Sequence, residues 1–555
     1  MTEQQAADLR GIVKKYDVRG VAGTELTEEI ARALGAAFAD LLDGAPIIVA
    51  HDMRLSSPAL AAAVAEGAAH RGSTVAEAGL SSTDQLYCAS GQHDAAGVMI
   101  TASHNPAPDN GLKLTRAGAR AISRETGLED VRRGAEAYLA AGVIPEREGG
   151  RRAQLDTLED YTALLHRLVP LGGRRRLRVV VDAADAMASL TVPAVLGSLE
   201  HLDLVPLHFG LDGTFPHHPA NPLDPANLVD LHDAVLAEGA DLGLAFDGDA
   251  DRCVVLDEQG RPVDPSAVTA LIAGREIARA RAAGEERPVV VANLVSSRHV
   301  PEVIAAAGGE AVRSPVGHSL IKAIMAERSA VFGGEHSAHY YFRDFFFADS
   351  GLLAAMHVLA ALEESDGPLS ALVAEHQPYA ASGELNTTVA DPSAARECVR
   401  AALGARPGVE ADDLDGLTLT HWGDDVPAAE RWWLSLRSSN TEPLLRLNVE
   451  AEEAALMESV RDEVLAIVTD ADADADADAG AGGAAGAGAG GSLPAGASGV
   501  DVPSWVRAVL RCPDCGGSLQ DATVGLRCED CGRVHAVEGG IPVLIAGRAE
   551  APDGA

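Results

Sequence analysis

Four times in this sequence an apolar run that reads as a β-strand opens into a polar loop whose residue types could do chemistry. Thr101-Ala-Ser-His-Asn-Pro106 follows Val98–Ile100. A serine at the mouth of a strand, with Pro106 fixing the exit backbone, is a hydroxyl held in one conformation, fit for a nucleophile or a phosphate carrier. Asp247-Gly-Asp-Ala-Asp-Arg252 follows Leu242–Phe246. Its three carboxylates, separated only by Gly248 and Ala250, can curl their oxygens around one hard cation, and so few protein ligands suit Mg²⁺. Without a cation the three anions would raise one another's pKa. Arg252 would face the same oxygens. Gly334-Glu-His-Ser-Ala-His339 follows Val331–Phe332. Glu335 and Ser337 alternate along the chain and can point to one side, a geometry for the vicinal hydroxyls of a sugar. Arg437-Ser-Ser-Asn-Thr441 follows Trp433–Leu436, with the strand Leu444–Val449 behind it. The guanidinium of Arg437, the hydroxyls of Ser439 and Thr441 and the amide of Asn440 form a donor-rich concavity for a phosphate.

Each loop taken alone is also an ordinary polar turn. Together they supply a nucleophilic hydroxyl, a Mg²⁺ cage, a hydroxyl reader and a phosphate clamp, the parts of a phosphosugar phosphoryl-transfer site. A separate cluster lies near the C-terminus. Cys512-Pro-Asp-Cys515 and Cys528-Glu-Asp-Cys531, with twelve residues between them, have the spacing of a structural Zn²⁺ site built from thiolates.

The elements that must hold these loops follow from the pattern between them. A chain of 555 residues exceeds what one hydrophobic core can serve. Short Val- and Ile-rich runs alternate with Ala-rich segments of helical period: Ile47–Ala50, then Ser57–Gly72, then Gly97–Thr101. That alternation is the mark of βαβ units around mostly parallel sheets, and it restarts near Arg178–Asp182 and Pro288–Ala292. The expected fold is α/β: three consecutive α/β domains of related topology (1–155, 156–260 and 261–372) and a smaller α+β domain (373–468). A flexible Asp/Ala/Gly linker at 469–503 and a small zinc ribbon at 504–548 complete it.

Charge narrows the partners. Against 44 basic residues stand 82 acidic ones, and the resulting −38 repels phosphate backbones and anionic lipid, so neither nucleic acid nor a membrane is an expected partner. The polar stretch from Met1 to Arg10 lacks the apolar core of a signal peptide, and Cys88, Cys253 and Cys398 are isolated, which together point to the cytoplasm. Only four of the basic residues are Lys (14, 15, 113 and 322), so each is more informative than a Lys usually is, and Lys14 and Lys15 read as plain surface charge.

In this order and spacing the four loops resemble the α-D-phosphohexomutase family, most closely its bacterial phosphomannomutase/phosphoglucomutase branch, over about residues 10 to 465. Lys14-Lys-Tyr-Asp-Val-Arg19-Gly20 resembles the family's N-terminal signature. The resemblance implies that Ser103 carries the phosphoryl group and that Asp247, Asp249 and Asp251 bind Mg²⁺ together with an oxygen of phosphorylated Ser103. It further implies that Glu335 and Ser337 read the sugar O3 and O4, and that Arg437, Ser439, Asn440 and Thr441 hold the phosphate that is not reacting. It places Tyr16, Arg19, Lys113 and His318 at the active site. Phosphate would pass between C1 and C6 of a mannose or glucose phosphate through a hexose 1,6-bisphosphate, which also serves as activator. Lys113, His318 and His339 are candidates for the general base, whereas His104 beside the nucleophile suits an orienting role. Val295 stands where several relatives carry a substrate-contacting Lys. Ala338 replaces a usual Gly, harmless unless the backbone there needs positive φ. His336, Tyr340, Tyr341 and Phe345–Phe347 read as local packing.

The tail from Cys512 to Ile545 resembles small zinc-ribbon subunits that partner methyltransferases. Residues 501–555 hold five Arg against eight Asp or Glu, a net −3 that favours a protein partner over nucleic acid. Two alternatives to a mutase stay open: a phosphosugar phosphatase using the same phosphoserine, and a mutase-like scaffold that presents the ribbon.

Overall fold

Ile47–His51, Leu177–Asp182 and Val289–Asn293 are apolar on both faces, which in a sheet requires cover from both sides, and each becomes a central parallel strand. The computed structural model describes residues 8–423, 425–438 and 444–481. In the tail it describes 512, 519–521, 526–528, 531, 533–535, 537–538 and 541–542. The chain divides into two compact units, Met1–Ala477 and Asp478–Ala555.

Three sheets of the first unit repeat one pattern. In chain order their strands are Ile47–His51, Thr74–Leu80, Ala96–Ile100 and Asp109–Arg116 in the first sheet; Leu177–Asp182, Leu202–Leu207, Leu242–Phe246 and Cys253–Leu256 in the second; and Val289–Asn293, Glu310–Ser314, Phe332–Gly334 and Tyr340–Phe342 in the third. Each time the spatial order is fourth, third, first, second, with the first three strands parallel and the fourth antiparallel. The first sheet adds Val18–Val21 and Arg151–Gln154 at its edges, and the third adds Ala348–Asp349. The direction of winding reverses between the first and third strands, so a crevice opens at the carboxyl end of the third strand. Ser103, Asp247 and Glu335 each follow a third strand. One topological position, used three times, thus supplies the hydroxyl, the carboxylates and the Glu/Ser loop.

The fourth sheet is antiparallel throughout, ordered Ala380–Ala381, Leu444–Ala451, Trp432–Ser438, Leu417–His421, Glu410–Asp412, and its core takes Val399 from one helix and Val460, Val464 and Val468 from another. This is the smaller α+β unit that the sequence predicts. Local chemistry starts several helices: Thr27 accepts from the Ile30 N–H ahead of Glu28–Leu41, and Asp264 accepts from the Ser266 N–H ahead of Pro265–Ala282.

One expectation is corrected. The Asp-Ala alternation does not begin a tether at 469, because the helix Ala454–Ala481 runs through it. Its first turns are anchored in the core by Met457, Val460, Val464 and Val468. Propagating a nucleated helix through Ala, the best helix former, then adds one hydrogen bond per residue. The remainder of the expected linker, 482–503, lies outside the described residues. In the second unit Leu519–Asp521, Leu526–Cys528 and Val534–His535 form an antiparallel sheet beside a cluster of Cys512, Leu519, Leu526 and Cys528. Among the described residues no helix is long and apolar enough to cross a membrane.

Candidate active site

Ser103 adopts φ 50°, a left-handed conformation that costs a non-glycine residue roughly 1–2 kcal/mol, so its surroundings must hold it. They do so through the backbone. The Ser103 N–H donates to Thr101 Oγ1 at 2.9 Å, and its carbonyl accepts from Arg54 Nη2 at 2.8 Å. Arg54, only 1% exposed, also donates to the carbonyls of Asn105 (2.7 Å), Pro106 (2.8 Å) and Asp109 (2.9 Å), and its charge is answered by Asp52 at 3.3 Å. Arg19 Nη1 donates to the Ala102 carbonyl at 2.9 Å and to Asn105 Oδ1 at 2.5 Å. Two guanidiniums therefore clamp the serine loop. Arg54 was not singled out from the sequence, although it too follows an apolar strand, Ile47–His51, as the four chosen loops do.

The serine meets the carboxylate loop directly. Ser103 Oγ donates to Asp247 Oδ2 at 2.8 Å, and Arg252 Nε donates to the same oxygen at 2.9 Å. Gly248 permits this approach, since a Cβ there would lie 2.4 Å from the Ser103 carbonyl oxygen. Asp247, Asp249 and Asp251 are buried and present oxygens within 4.8 Å of one another. Oδ1 of Asp249 and Oδ1 of Asp251 are buried with no hydrogen-bond partner among the described residues. Orphaned anionic oxygens of this kind are what a divalent cation satisfies, so the residues fit Mg²⁺.

Lys113 Nζ lies 2.6 Å from Asp249 Oδ2 and 2.6 Å from Asp251 Oδ2. Thr83 Oγ1, unforeseen from the sequence, donates to Asp249 Oδ2 at 2.5 Å. Burial, against the pull of Arg252, pushes Asp247 up to about 7. Burial also works to raise Asp251, but Lys113 overcomes it and brings the group down to about 2. For Lys113 itself burial works to lower the pKa, and the two carboxylates hold it well above the ordinary ammonium value.

His104 Nδ1 stands 3.2 Å from Ser103 Oγ and accepts from Arg252 Nη2. Burial, helped by Arg252, drives His104 down to about 2, so its ring is neutral. A nitrogen that accepts from a guanidinium has its lone pair engaged, which suits the orienting role and not that of a base.

The third-sheet loop joins this cluster. His339 Nε2 lies 3.6 Å from Asp251 Oδ1, and the backbones of Arg252 and His339 bridge. Ser337 Oγ is 3.0 Å from His339 Nδ1. The Tyr341 hydroxyl donates to Glu335 Oε1, so Tyr341 is more than the packing residue its setting suggests in the sequence. Burial raises Glu335 to about 7. Behind this loop Lys322, also unforeseen, pairs with Asp349 at 2.6 Å and sits 4.0 Å from the ring centre of Tyr87. Ala338 has φ 61°, so the Gly-to-Ala change at this position does carry strain.

A cavity of about 640 Å³ opens beside these residues, and its lining includes Asn293, Val295, Ser337, Glu384, Arg437 and Arg446. Arg437 Nη2 donates to Glu384 Oε2 at 3.3 Å, and Nη1 lies 3.7 Å from Asp415. Ser439, Asn440 and Thr441 lie outside the described residues. His318 opens the helix His318–Arg328 next to Gly317, where a Cβ would lie 3.2 Å from the Tyr16 hydroxyl. Of the expected site residues, Ser103, His104, Arg19, Lys113, the three Asp and Arg252 form one connected cluster. Glu335, Ser337 and His339 join it through Asp251, and Arg437 shares the cavity with Ser337.

In the tail Cys512, Cys528 and Cys531 bring their sulfurs within 4.8 Å of one another. Buried His535, absent from the sequence prediction, places Nε2 3.3 Å from Cys512 Sγ. Cys515 lies outside the described residues.

Comparison with known proteins accounts for the four-sheet body. Residues 10–138, 160–260 and 264–379 match the α/β/α domains I, II and III of phosphoglucomutase/phosphomannomutase, and residues 384–467 match the C-terminal domain of those enzymes. A phosphomannomutase of Escherichia coli K12 is 36% identical over 466 residues, covering 82% of this chain and 98% of its own length. Phosphohexose mutases of Xanthomonas campestris pv. campestris are 38% identical over 457 residues, 81% of this chain and 97% of theirs. The crystal structure of a phosphoglucomutase/phosphomannomutase family protein from Burkholderia thailandensis superposes with a TM-score of 0.71 at 28% identity, over 83% of this chain and 97% of that one. With four domains matched in order and relatives covered nearly end to end, the chain belongs to the phosphoglucomutase/phosphomannomutase family, the α-D-phosphohexomutases.

Proposed function

We propose that this isomerase interconverts the 1- and 6-phosphates of mannose and glucose, with Ser103 as the group that carries the phosphoryl. The single observation that carries the reading is the hydrogen bond from Ser103 Oγ to Asp247, inside a buried three-carboxylate cluster that also touches the Glu335–His339 loop. In the working enzyme Ser103 is phosphorylated, and its phosphoryl group passes to the free hydroxyl of a hexose 1-phosphate or 6-phosphate. The 1,6-bisphosphate so formed turns over in the cleft and returns its other phosphate to Ser103.

Asp247, Asp249 and Asp251 would hold Mg²⁺, on which the family generally depends, and when bound it neutralises charge on the phosphoserine oxygens. Arg252 and Lys113 neutralise the transferring group. Glu335 and Ser337 take the sugar hydroxyls, and Arg437 with Ser439, Asn440 and Thr441 takes the distal phosphate in both poses. His104 keeps Ser103 and Arg252 in place. Lys113 is held as a cation by two carboxylates, which favours His318 or His339 as the acceptor of the hydroxyl proton.

The test is an assay on mannose 1-phosphate and glucose 1-phosphate, primed with a trace of glucose 1,6-bisphosphate. The expected product is the hexose 6-phosphate with no net release of inorganic phosphate. Phosphate release without interconversion would mean a phosphatase. For the tail we infer a Zn²⁺ ribbon held by Cys512, Cys515, Cys528 and Cys531, which docks a protein partner. Removal of residues 482–555 is expected to leave mutase turnover intact, and a loss of turnover would tie the tail to catalysis.

A further inference from the structure

The second sheet carries a cluster that the mutase chemistry does not use. Asp182 ends the strand Leu177–Asp182, Asp185 follows it, His208 follows Leu202–Leu207, and His217 and His218 lie on the loop beyond. Two triads share His208: Asp182, His208 and His218, and Asp185, His208 and His217. Within each triad, atoms able to ligate a metal lie within 4.8 Å of one another. His217 Nδ1 is 2.6 Å from Asp185 Oδ2, and His218 Nε2 is 3.0 Å from Asp182 Oδ2. The His208 ring stacks on that of His217 with centres 4.1 Å apart and meets that of His218 edge-on at 5.2 Å. His208 Nε2 also lies 3.1 Å from Asp230 Oδ2.

The backbone is bent to build this arrangement. Ala184 (φ 48°), Asp185 (φ 54°), His208 (φ 52°) and Phe215 (φ 51°) all adopt left-handed conformations. Residues in such conformations persist where the surrounding structure holds them, and they cluster at functional sites. The donors are chemically distinct from those at Asp247–Asp251. Imidazole with carboxylate suits borderline transition metals, whereas an all-oxygen set suits Mg²⁺.

We propose that the overlapping triads Asp182–His208–His218 and Asp185–His208–His217 give one divalent transition-metal ion of the zinc class a site separate from the carboxylate triad. His208 is the shared ligand, and the ion takes the place of the contacts that now join His217 to Asp185 and His218 to Asp182. The site borders the catalytic wall. The Met187 N–H donates to the Gly248 carbonyl at 3.3 Å, and the Phe215 ring lies 5.1 Å from the Arg54 guanidinium, so the two loops of the cluster touch both the carboxylate loop and the residue that clamps Ser103.

The test titrates the full, chelator-stripped chain with Co²⁺ while excess Mg²⁺ occupies the carboxylate triad. Beyond any thiolate-bound cobalt of the tail, which shows a sulfur charge-transfer band, about one further equivalent is expected with ligand-field absorption alone. His217→Ala removes a ring that is 51% exposed, so the variant should fold. It is expected to weaken this equivalent by more than about tenfold, and His208→Asn to abolish it, with mutase turnover in Mg²⁺ and the melting temperature of His217→Ala unchanged. Unaltered Co²⁺ binding in His217→Ala, or loss of the equivalent only in Asp249→Asn, would overturn the proposal and leave the histidines as ion-pair partners of their aspartates.

Discussion

The two ends of the active site are built to different specifications. At the reaction end Ser103, Asp247, Asp249, Asp251 and Arg252 are buried, and the ion pairs that Lys113 and Arg252 make there are 2.6–2.9 Å long. At the recognition end Ser337 and Arg437 face a cavity of about 640 Å³, and Arg437 meets its nearest carboxylates only at 3.3 and 3.7 Å. Phosphoryl transfer needs fixed positions and charge neutralisation, which a closed, preorganised cluster supplies. A bisphosphate that must turn over needs room, and a guanidinium loosely paired with Glu384 and Asp415 can exchange those partners for a phosphate. Rigidity and slack are thus divided between the carboxyl ends of the first two α/β sheets and the space shared by the third and fourth.

Substitutions can break that contrast. Ser103→Ala should lower kcat by at least about 10⁴-fold without changing the melting temperature, because it removes the group that is transferred to. Arg54→Lys keeps a charge beside Asp52 but loses the planar fork that holds four carbonyls. Displacing the nucleophile by about 1 Å costs on the order of 10²-fold, and the loss should fall on kcat in steady-state assays and leave KM nearly untouched. Arg437→Ala should do the reverse, raising KM by roughly ten- to a hundredfold through loss of one charge-assisted contact while kcat changes little. If Arg437→Ala instead lowered kcat as Arg54→Lys does, the division between the two ends would fail.

Smaller effects sharpen the same picture. Glu335 is raised by burial from 4.5 to about 7, so the folded protein keeps a proton there that the unfolded chain has lost. Stability from this group is fully present below pH 4.5 and is lost as pH rises to about 7. Glu335→Gln should therefore gain in melting temperature relative to the parent across that interval and run level above it. A difference independent of pH would mean that Glu335 titrates as an exposed carboxylate. Ala338→Gly relieves the left-handed strain and should stabilise by about 0.5–1 kcal/mol in denaturant unfolding. A destabilisation would show that the conformation at φ 61° is not strained.

What the sequence disclosed and what it withheld divide on chain separation. Ser103 and the three aspartates stand out because each sits within a few residues of an apolar strand, so both the motif and its position at a strand end are local. Thr83 reaches Asp249 across 166 residues, and no spacing rule joins them. Arg54 acts through its fork of hydrogen bonds to loop carbonyls, and a carbonyl has no residue type to recognise. Tyr341 reads as packing because aromatic neighbours surround it, and Lys322 falls outside the four loops, yet each ends on a buried carboxylate. The helix through the Asp-Ala alternation is hidden for the opposite reason: composition there suggests a tether, while the packed turns before it supply the nucleus. His535 does not stand out in the sequence because the paired Cys-x-x-Cys motifs already offer a full set of ligands for the tail.

The central claim is tested most directly by following one phosphate. Protein labelled with radioactive phosphate is mixed with a stoichiometric amount of unlabelled mannose 1-phosphate, and the peptide containing Ser103 and the sugar products are analysed after a single turnover. The label should leave Ser103 and appear in the bisphosphate and the hexose 6-phosphate. Label that stays on the protein or emerges only as inorganic phosphate, or interconversion that persists in Ser103→Ala, would contradict the account.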